Sequence, residues 1–415
     1  MNTSEKRFEK NLQFYKFCFY GFLKNLRFYE PFLFLFFIQQ GLTFFQIGVL
    51  ISIREIGRNL LEIPAGVVAD AIGRKRTLVS SFLFYISAFL LYFFAESYAW
   101  FIFAMIFYSL GDSFRTGTHK AMIFDYLRLN DWKDQKVFYY GHTRSYSQLG
   151  SALSSLIAAL LVFFSGEYRM IFLYTIIPYI FDLLLILSYP NDLNGQTIEF
   201  RKDKIWSRFK VILADFWLSF RKLKTLSIIS NVAVYTGFYQ ALKDYLQPVI
   251  KTLALSLPFF LAFQDEQRTA ILIGLIYFVV YLLTSFSARN AGRFANLFNS
   301  LHMPLNLTLL IGLGVGLLSG LLFKFDMLLM SVVFFVVIYI IENLRKPVGV
   351  SYLSESIDKD VLATVLSAES QAHTLVAAIL APLIGYFADL FGVGIGIFSA
   401  AALLIILMPL YWLRK

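Results

Sequence analysis

Long apolar segments separated by short polar connections recur along the whole chain. A helix that rises about 1.5 Å per residue needs roughly 20 residues to cross a hydrocarbon core of about 30 Å, and the apolar segments have about that length. Hydrophobic periodicity therefore predicts an all-α integral membrane protein with twelve transmembrane helices. The predicted spans are residues 23–40, 45–69, 77–95, 98–126, 143–164, 170–188, 226–250, 269–288, 305–323, 327–344, 361–389 and 393–412.

Composition supports the same class. Hydrophobic residues make up 58% of the chain and charged residues 15%, and the mean hydropathy is +0.65. Soluble domains carry about 25% charged residues, so a soluble protein is disfavoured. The single cysteine, Cys18, excludes an internal disulfide bond. Residues 1–24 lack the apolar core and cleavage site of a signal peptide, so no removable signal peptide is expected.

The cations are distributed unevenly between the two sets of connections. If the N-terminus is cytoplasmic, the connections on the outer side hold only Arg169, Lys251, Arg268 and Lys324. This positive-inside pattern predicts a multi-pass protein of the cell (inner or plasma) membrane with both termini in the cytoplasm. The net charge of +10 is then explained by anionic lipid headgroups, and a nucleic-acid partner is not needed.

One long polar connection, residues 190–224, divides the chain into halves of six spans each, 1–189 and 225–415. The second part of this linker has apolar residues at helical spacing with cations beside them, which predicts an amphipathic helix on the inner leaflet. A segment that docks into a partner protein is the alternative. The apolar positions are Trp206, Phe209, Leu213, Phe216, Trp217 and Phe220.

A charged turn joins the second and third predicted spans. It reads Gly66-Val-Val-Ala-Asp70-Ala-Ile-Gly73-Arg74-Lys75-Arg76. This turn resembles the signature loop of the major facilitator superfamily, G-x-x-x-D-x-x-G-R-K/R, although Ala71 stands where a basic residue is usual. The segment Arg289-Asn-Ala-Gly292-Arg293 repeats part of it after the eighth span. The resemblance implies two pseudo-symmetric six-helix bundles that alternate access to a site between them.

The same resemblance implies a role for the charged turn. In the superfamily the carboxylate and its neighbouring cations belong to a charge network near the cytoplasmic side that keeps one access state closed. Asp70 with Arg74, Lys75 and Arg76, between Gly66 and Gly73, is therefore expected to form a breakable gating loop. The proline-containing glycine motif that drug antiporters carry on the fifth span is absent here.

Ionisable residues inside the spans are the functional candidates, because a charge in the membrane is costly. On the second span Arg54, Glu55, Arg58 and Glu62 share an arc of about 100°. They form either a structural ion-pair ladder or a gate. The proton-coupling candidates are Glu30, Glu55, Asp112, His119 and Glu369. The substrate-cavity candidates are Arg54, Arg58, Glu62, Tyr108, Arg115, Lys120, Arg144, Tyr235, Tyr239 and Lys243.

Bland interpretations accompany several of these residues. A membrane histidine such as His119 is more often a packing residue, and Tyr235 and Tyr239 suit helix packing as well as a cavity wall. Arg345 and Lys346, just before Pro347, are read as a cytoplasmic anchor. Cations and carboxylates within the spans roughly balance, so the sequence indicates neither an anion-selective nor a cation-selective cavity.

No other chemistry stands out. The chain has no phosphate-binding G-x-x-x-x-G-K-[ST] loop, and its four histidines show no metal-ligand spacing. No enzyme activity, metal or cofactor is therefore expected. The sequence predicts a monomeric, proton-coupled secondary transporter of a small molecule in the lipid bilayer, with export favoured. Uptake by a symporter or uniporter is the alternative, as is a membrane sensor or lipid-handling scaffold without transport.

Overall fold

The computed structural model describes residues 9–132, 135–194, 223–258, 261–357 and 359–414, and these residues are helical apart from short connections. The predicted amphipathic helix of the linker lies outside them. The first half contains α1 Leu12–Lys24, α2 Leu33–Gln39, α3 Phe44–Ile72, α4 Arg74–Phe94, α5 Tyr98–Arg115, α6 Thr118–Leu129, α7 Lys136–Ser165 and α8 Met170–Leu187. The second half contains α9 Leu223–Leu242, α10 Leu246–Ser256, α11 Asp265–Ala295, α12 His302–Lys324, α13 Leu328–Ser356, α14 Lys359–Phe391 and α15 Val393–Leu407.

The predicted all-α membrane fold with twelve spans is confirmed. Among the described residues, eight helices are long and apolar enough to cross a membrane, namely α4, α7, α8 and α11 to α15. The other four spans are α1 with α2, α3, α5 with α6, and α9 with α10. Three of these are interrupted, and α3 carries four charged side chains at mid-length. The departures from ideal apolar helices are therefore concentrated in one subset of spans.

The first span begins earlier than predicted. The helix starts at Leu12 rather than residue 23, and a non-helical segment follows it before α2. Phe14, Phe17 and Cys18 are buried on one face of α1, which packs against α7 and α8. Lys16 lies on the other face and donates from Nζ to the Ser188 carbonyl at 2.8 Å. Average hydropathy obscures this helix, because its lysines interrupt a pattern whose apolar face is complete.

The tenth span continues past its predicted end. Helix α13 runs through Pro347 to Ser356, and Arg345 on it is only 2% exposed. Its guanidinium donates to the Asn231 carbonyl at 2.6 Å and to Thr308 Oγ1 at 3.0 Å, and it also bonds the Leu305 carbonyl. The predicted cytoplasmic anchor is therefore wrong for Arg345. Acceptors supplied by α9 and α12 let the cation be buried.

Two ends of the bundle can be distinguished. The terminal end holds the start of α1, the end of α15 and the turn between α3 and α4; the distal end holds the connections at 40–43, 95–97 and 165–169. At the distal end α3 packs on α14, α7 on α11 and α2 on α10. Asp389 at the end of α14 accepts the backbone N–H groups of Phe44 and Phe45 at 2.8 and 2.9 Å, so one half caps a helix of the other.

Contacts between the halves are confined to part of the bundle's height. Among the described residues, every hydrogen bond between the halves lies at the distal end or near the middle. The bond nearest the terminal end joins Asn59 Nδ2 to Thr374 Oγ1 at 3.3 Å. The halves are thus hydrogen-bonded at the distal end and near the middle, and the described residues form no hydrogen bond between them toward the terminal end, an asymmetry typical of one access state.

The repeat of the charged turn in the second half is only partial. Gly73 ends α3 with a φ of +91°, a conformation that favours glycine. Gly292 lies inside α11, which continues to Ala295. The matching letters therefore mark equivalent helix ends, but only the first-half copy forms a glycine turn.

Close packing at the distal end yields a stability prediction. A Cβ atom on Gly48 would lie 2.4 Å from the Ala381 carbonyl oxygen, so Gly48→Ala forces α3 away from α14. We expect a loss of about 1–3 kcal/mol of stability, the usual cost of overpacking. The measurement is the midpoint of thermal unfolding of the purified protein in detergent.

The matched control is Gly314→Ala on α12, because a Cβ there would meet no atom within 4 Å. Its unfolding midpoint should equal or slightly exceed that of the wild type, because alanine favours the helix more than glycine does. Equal midpoints for the two variants would contradict the close approach of α3 and α14.

Candidate functional site

A small central cavity lies between the two halves, with a volume of about 90 Å³. That volume accommodates a few water molecules but not a metabolite of ordinary size. Apart from Tyr92 on α4, its lining residues come from the interrupted spans and from α3, which are the spans where charges and helix breaks occur together. The lining residues are Arg27, Tyr29, Glu30, Leu33, Arg54, Glu55, Arg58, Tyr92, Met105, Tyr108, Asp112, Gln240, Lys243 and Asp244.

One side of this cavity carries an ion-pair chain that crosses between the halves. Arg54 Nε donates to Glu55 Oε1 at 3.1 Å, and Arg54 Nη1 lies 3.6 Å from Asp244 Oδ2. Glu55 is 2% exposed and its Oε2 atom lies 3.9 Å from Arg58 Nη2. Asp244 sits in the short turn between α9 and α10 and was not among the predicted site residues. Its one sequence signal was its place beside Lys243.

The other side of the cavity is built around Asp112. Arg115 Nη2 donates to Asp112 Oδ1 at 2.8 Å, and Tyr85 Oη donates to the same oxygen at 2.5 Å. Arg58 Nη1 lies 3.9 Å from Asp112 Oδ2. These donors all favour the ionised carboxylate. Asp112 faces the central cavity while its partner Arg115 faces a second cavity, so the pair forms part of the partition between the two.

The second cavity, which we call the cationic chamber, has a volume of about 580 Å³ and lies toward the terminal end. Of the described side chains that line it, five are Lys or Arg and none is Asp or Glu. Lys346 is contributed by the second half, and the other lining residues belong to the first. The lining residues are Phe17, Tyr20, Gly21, Lys24, Arg115, Thr116, Gly117, His119, Lys120, Ile123, Tyr140, Thr143, Arg144, Ser147 and Lys346.

His119 occupies a wall of the chamber. Its ring stacks on Tyr20 with centroids 3.5 Å apart, and Nε2 lies 3.3 Å from Tyr189 Oη. These contacts hold the imidazole between aromatic rings, where it packs as well as lines the chamber. Lys24 and Lys346 were not predicted as cavity residues. Lys24 stands at the start of the first predicted span and Lys346 is interpreted from the sequence as an anchor, and only the packing of the helices shows that both line the chamber.

Four predicted residues line neither cavity. Tyr235 is fully buried and donates to the Ile338 carbonyl at 3.2 Å, so it packs α9 on α13. Tyr239 packs edge-on against Tyr339, with ring centroids 5.1 Å apart. Glu369 lies 3.4 Å from its helical neighbour His373, and Glu62 is exposed on α3. The remaining candidates for coupling and for the substrate cavity line one of the two cavities.

The charged turn is held within the first half. Arg74 bonds Asp125 on α6, and Asp125 also pairs with Arg128 at 3.1 Å. Lys75 Nζ donates to the Tyr189 carbonyl at 2.7 Å, and its backbone N–H donates to Asn194 Oδ1 at 3.1 Å. Asp125 and Asn194 were not predicted from the sequence, because both lie far from the turn along the chain.

Asp70 lies beside the same network. It interacts electrostatically with Arg74, as expected for a carboxylate one turn before a cation. Gly66 is exposed on α3 and Arg76 is exposed at the start of α4, so both stand at the edge of the network. Arg74 therefore lies near two carboxylates, Asp125 and Asp70, and a latch could exchange it between them.

The role of Asp125 can be tested without a substrate. Asp125→Asn removes the charge that holds Arg74, so the turn over 66–78 should open more often. We expect its amide hydrogen exchange to accelerate roughly tenfold, which corresponds to about 1.4 kcal/mol of local stability. Exchange measured by mass spectrometry on the purified protein reports this directly.

Asp131→Asn is the matched control, because Asp131 is exposed and has a positive φ that asparagine also tolerates. It should leave exchange at 66–78 unchanged. Equal exchange in Asp125→Asn and Asp131→Asn would contradict the latch.

Comparisons with known proteins agree with this architecture. The family model of the Major Facilitator Superfamily matches residues 17–368. The MFS-type transporter YxaM of Bacillus subtilis (strain 168) is 24% identical over 228 residues, which are 55% of this chain and 56% of that protein. The match thus spans about half the length of that relative.

Solved structures extend the similarity to the whole fold. The nucleoside transporter NupG has a TM-score of 0.73 at 14% identity, covering 97% of this chain and 98% of that one. A bacterial homolog of the human lysosomal transporter Spinster, solved in an inward-facing and occupied conformation, has a TM-score of 0.69 at 14% identity, covering 96% and 95%. At such identities the likeness establishes the fold alone.

Proposed function

The chain belongs to the Major Facilitator Superfamily, and we propose that it is a proton-coupled secondary transporter that moves a small molecule by alternating access. The observation that carries this proposal is the asymmetry of the contacts between the halves. They are bonded at the distal end and in the middle, while a chamber of about 580 Å³ lies toward the terminal end. With the terminal end in the cytoplasm, this is an inward-facing state, the conformation in which the similar Spinster homolog was solved.

Glu55 is the proposed coupling carboxylate. Arg54 bonds Glu55 in its own half and Asp244 in the other, so the two carboxylates compete for one guanidinium. Protonation of Glu55 removes one competitor and strengthens the bond between the halves, and loss of the proton weakens it. Each 1.4 kcal/mol of this difference shifts the two access states tenfold.

Asp112 is the less suitable proton carrier in this proposal. Its Oδ1 atom accepts from both Tyr85 and Arg115, and Arg58 lies near its second oxygen. In Glu55, Oε1 accepts one hydrogen bond, from Arg54, and Oε2 has no hydrogen-bond partner among the described residues, while Arg58 lies 3.9 Å from one oxygen of each carboxylate. Protonation therefore disturbs fewer hydrogen bonds at Glu55 than at Asp112.

Export is the proposed direction, since in the inward-facing state the chamber is reached from the cytoplasm and can load an internal compound. Uptake by a symporter or uniporter uses the same two states in the reverse order. A sensor or lipid-handling scaffold would use one state without turnover. These alternatives are distinguished by the flux experiment.

The experiment uses the full chain in lipid vesicles that enclose a pH-sensitive dye. A panel of small molecules is added under an imposed pH gradient. The wild type should dissipate the gradient only with compounds that it transports. Glu55→Gln should abolish compound-driven proton movement while it still exchanges labelled compound between the two sides of the membrane.

Glu96→Gln is the matched control, because Glu96 is an exposed carboxylate at the distal end. It should behave as the wild type. Compound-driven proton movement that survives in Glu55→Gln would refute the assigned coupling residue, and compound flux without any proton movement would identify a uniporter.

A further inference from the structure

We propose that the cationic chamber binds an organic anion that carries more than one negative charge and an apolar ring. This inference rests on the proposed function, because it names the substrate class of the transporter. It is carried by three observations: the position of the cations well inside their spans, the absence of carboxylates among the described residues of the chamber wall, and the mixture of aromatic and hydroxyl groups between them.

The cations lie well inside the terminal ends of their spans. Lys24 ends α1, twelve residues past its start, which is about 18 Å along the helix. Lys346 lies ten residues before the end of α13, about 15 Å, and Arg144 about 12 Å from the start of α7. Positive-inside residues that bind lipid normally flank the spans, whereas these face a cavity within the bundle.

The cations are also poorly compensated by the protein. Lys24, Lys120, Arg144 and Lys346 have no carboxylate oxygen within 4 Å among the described residues, and Arg115 alone is paired, with Asp112. Like charges that line one cavity repel each other, although Lys120, Arg144 and Lys346 are exposed and solvent screens part of the repulsion. An anionic ligand would remove that repulsion.

Other nearby groups supply only part of the missing charge. Asp182 on α8 interacts electrostatically with Lys24, but it is fully buried behind the chamber and its oxygens have no hydrogen-bond partner among the described residues. Glu342 lies one helical turn from Lys346, and its oxygens accept from Thr236 at 3.1 and 3.3 Å. Neither carboxylate lines the chamber.

The walls between the cations fit a ring. Phe17, Tyr20 and Tyr140 line the chamber, and Lys120 Nζ lies 5.6 Å above the Tyr140 ring. The hydroxyl-bearing residues Thr143 and Ser147 stand on the same stretch of α7 as Arg144. An apolar ring can therefore contact aromatic surface while its charged groups reach cations and hydroxyl donors.

Binding would also act on the two halves. Lys346 belongs to the second half and the other cations to the first, so an anion between them would draw the halves together at the terminal end. The same anion would compete with Asp112 for Arg115. In this structure Arg115 Nη2 lies 2.8 Å from Asp112 Oδ1. Chamber occupancy would thereby reach the central cavity and its charge network.

The experiment measures binding to the purified full-length protein in a neutral detergent by titration calorimetry. Three probes share one ring system: naphthalene disulfonate, naphthalene monosulfonate and naphthylmethylammonium. The disulfonate should bind about tenfold more tightly than the monosulfonate, and the ammonium should not bind. Lys24→Gln and Lys346→Gln should each weaken disulfonate binding about tenfold.

Lys324→Gln is the matched control, because Lys324 is an exposed cation at the distal end and its loss removes the same charge. Unfolding midpoints of all three variants verify that each folds. Equal affinity for the three probes, or disulfonate binding that is insensitive to Lys24→Gln and Lys346→Gln, would overturn the proposal.

Competition separates the two sources of such an anion. Displacement of the disulfonate by inorganic sulfate supports a soluble substrate. Displacement by phosphatidylglycerol but not by sulfate would assign the chamber to a lipid headgroup and overturn the substrate class. Binding is measured without a gradient, so failure of proton coupling and failure of anion binding are seen in different experiments.

Discussion

Compensation of charge inside the hydrocarbon layer is the constraint on which the rest of this structure depends. Within two turns of α3 the first half has two arginines and a glutamate, Arg54, Glu55 and Arg58. The second half contributes Asp244, which pairs with Arg54. Each group is costly alone in a medium of low dielectric constant, so the stable arrangement is a chain of shared partners. A shared partner can also be exchanged. In the proposed mechanism, exchange of Arg54 between Glu55 and Asp244 makes the ion pair between the halves reversible.

The same constraint explains how helices can be interrupted in the middle of the bundle. The break between α1 and α2 exposes backbone groups that water cannot reach in a membrane. Gln247 on α10 satisfies them from the other half: its Oε1 accepts from the Phe34 N–H at 2.8 Å, and its Nε2 donates to the Glu30 carbonyl at 2.9 Å. One amide thus holds two interrupted spans together beside the central cavity.

The sequence was sufficient to predict the class, the number of spans and much of the central cavity. Hydropathy identifies a span because lipid selects apolar side chains, and the helical period places Arg54, Glu55 and Arg58 on one face. It could not predict contacts between distant segments, such as Arg74 with Asp125 or Arg54 with Asp244. Hydropathy also underestimates helices that carry cations between their buried residues, so the predicted first and tenth spans are shorter than the helices in the structure.

The charge balance of the spans shows why the chamber was missed. Summed along the chain, cations and carboxylates within the spans nearly cancel, which suggests a cavity without preference. In space they are distributed unevenly. The central cavity holds four carboxylates and four cations, whereas the charged side chains among the described residues that line the chamber are all cations. The electrostatic field in a cavity depends on where the charges lie and not on the net charge summed along the chain. Arg115 lies on the partition between the two cavities: it pairs with Asp112 of the central cavity and also lines the chamber. In our proposal, an anion bound in the chamber therefore weakens the pair with Asp112 and changes the charge balance of the central cavity.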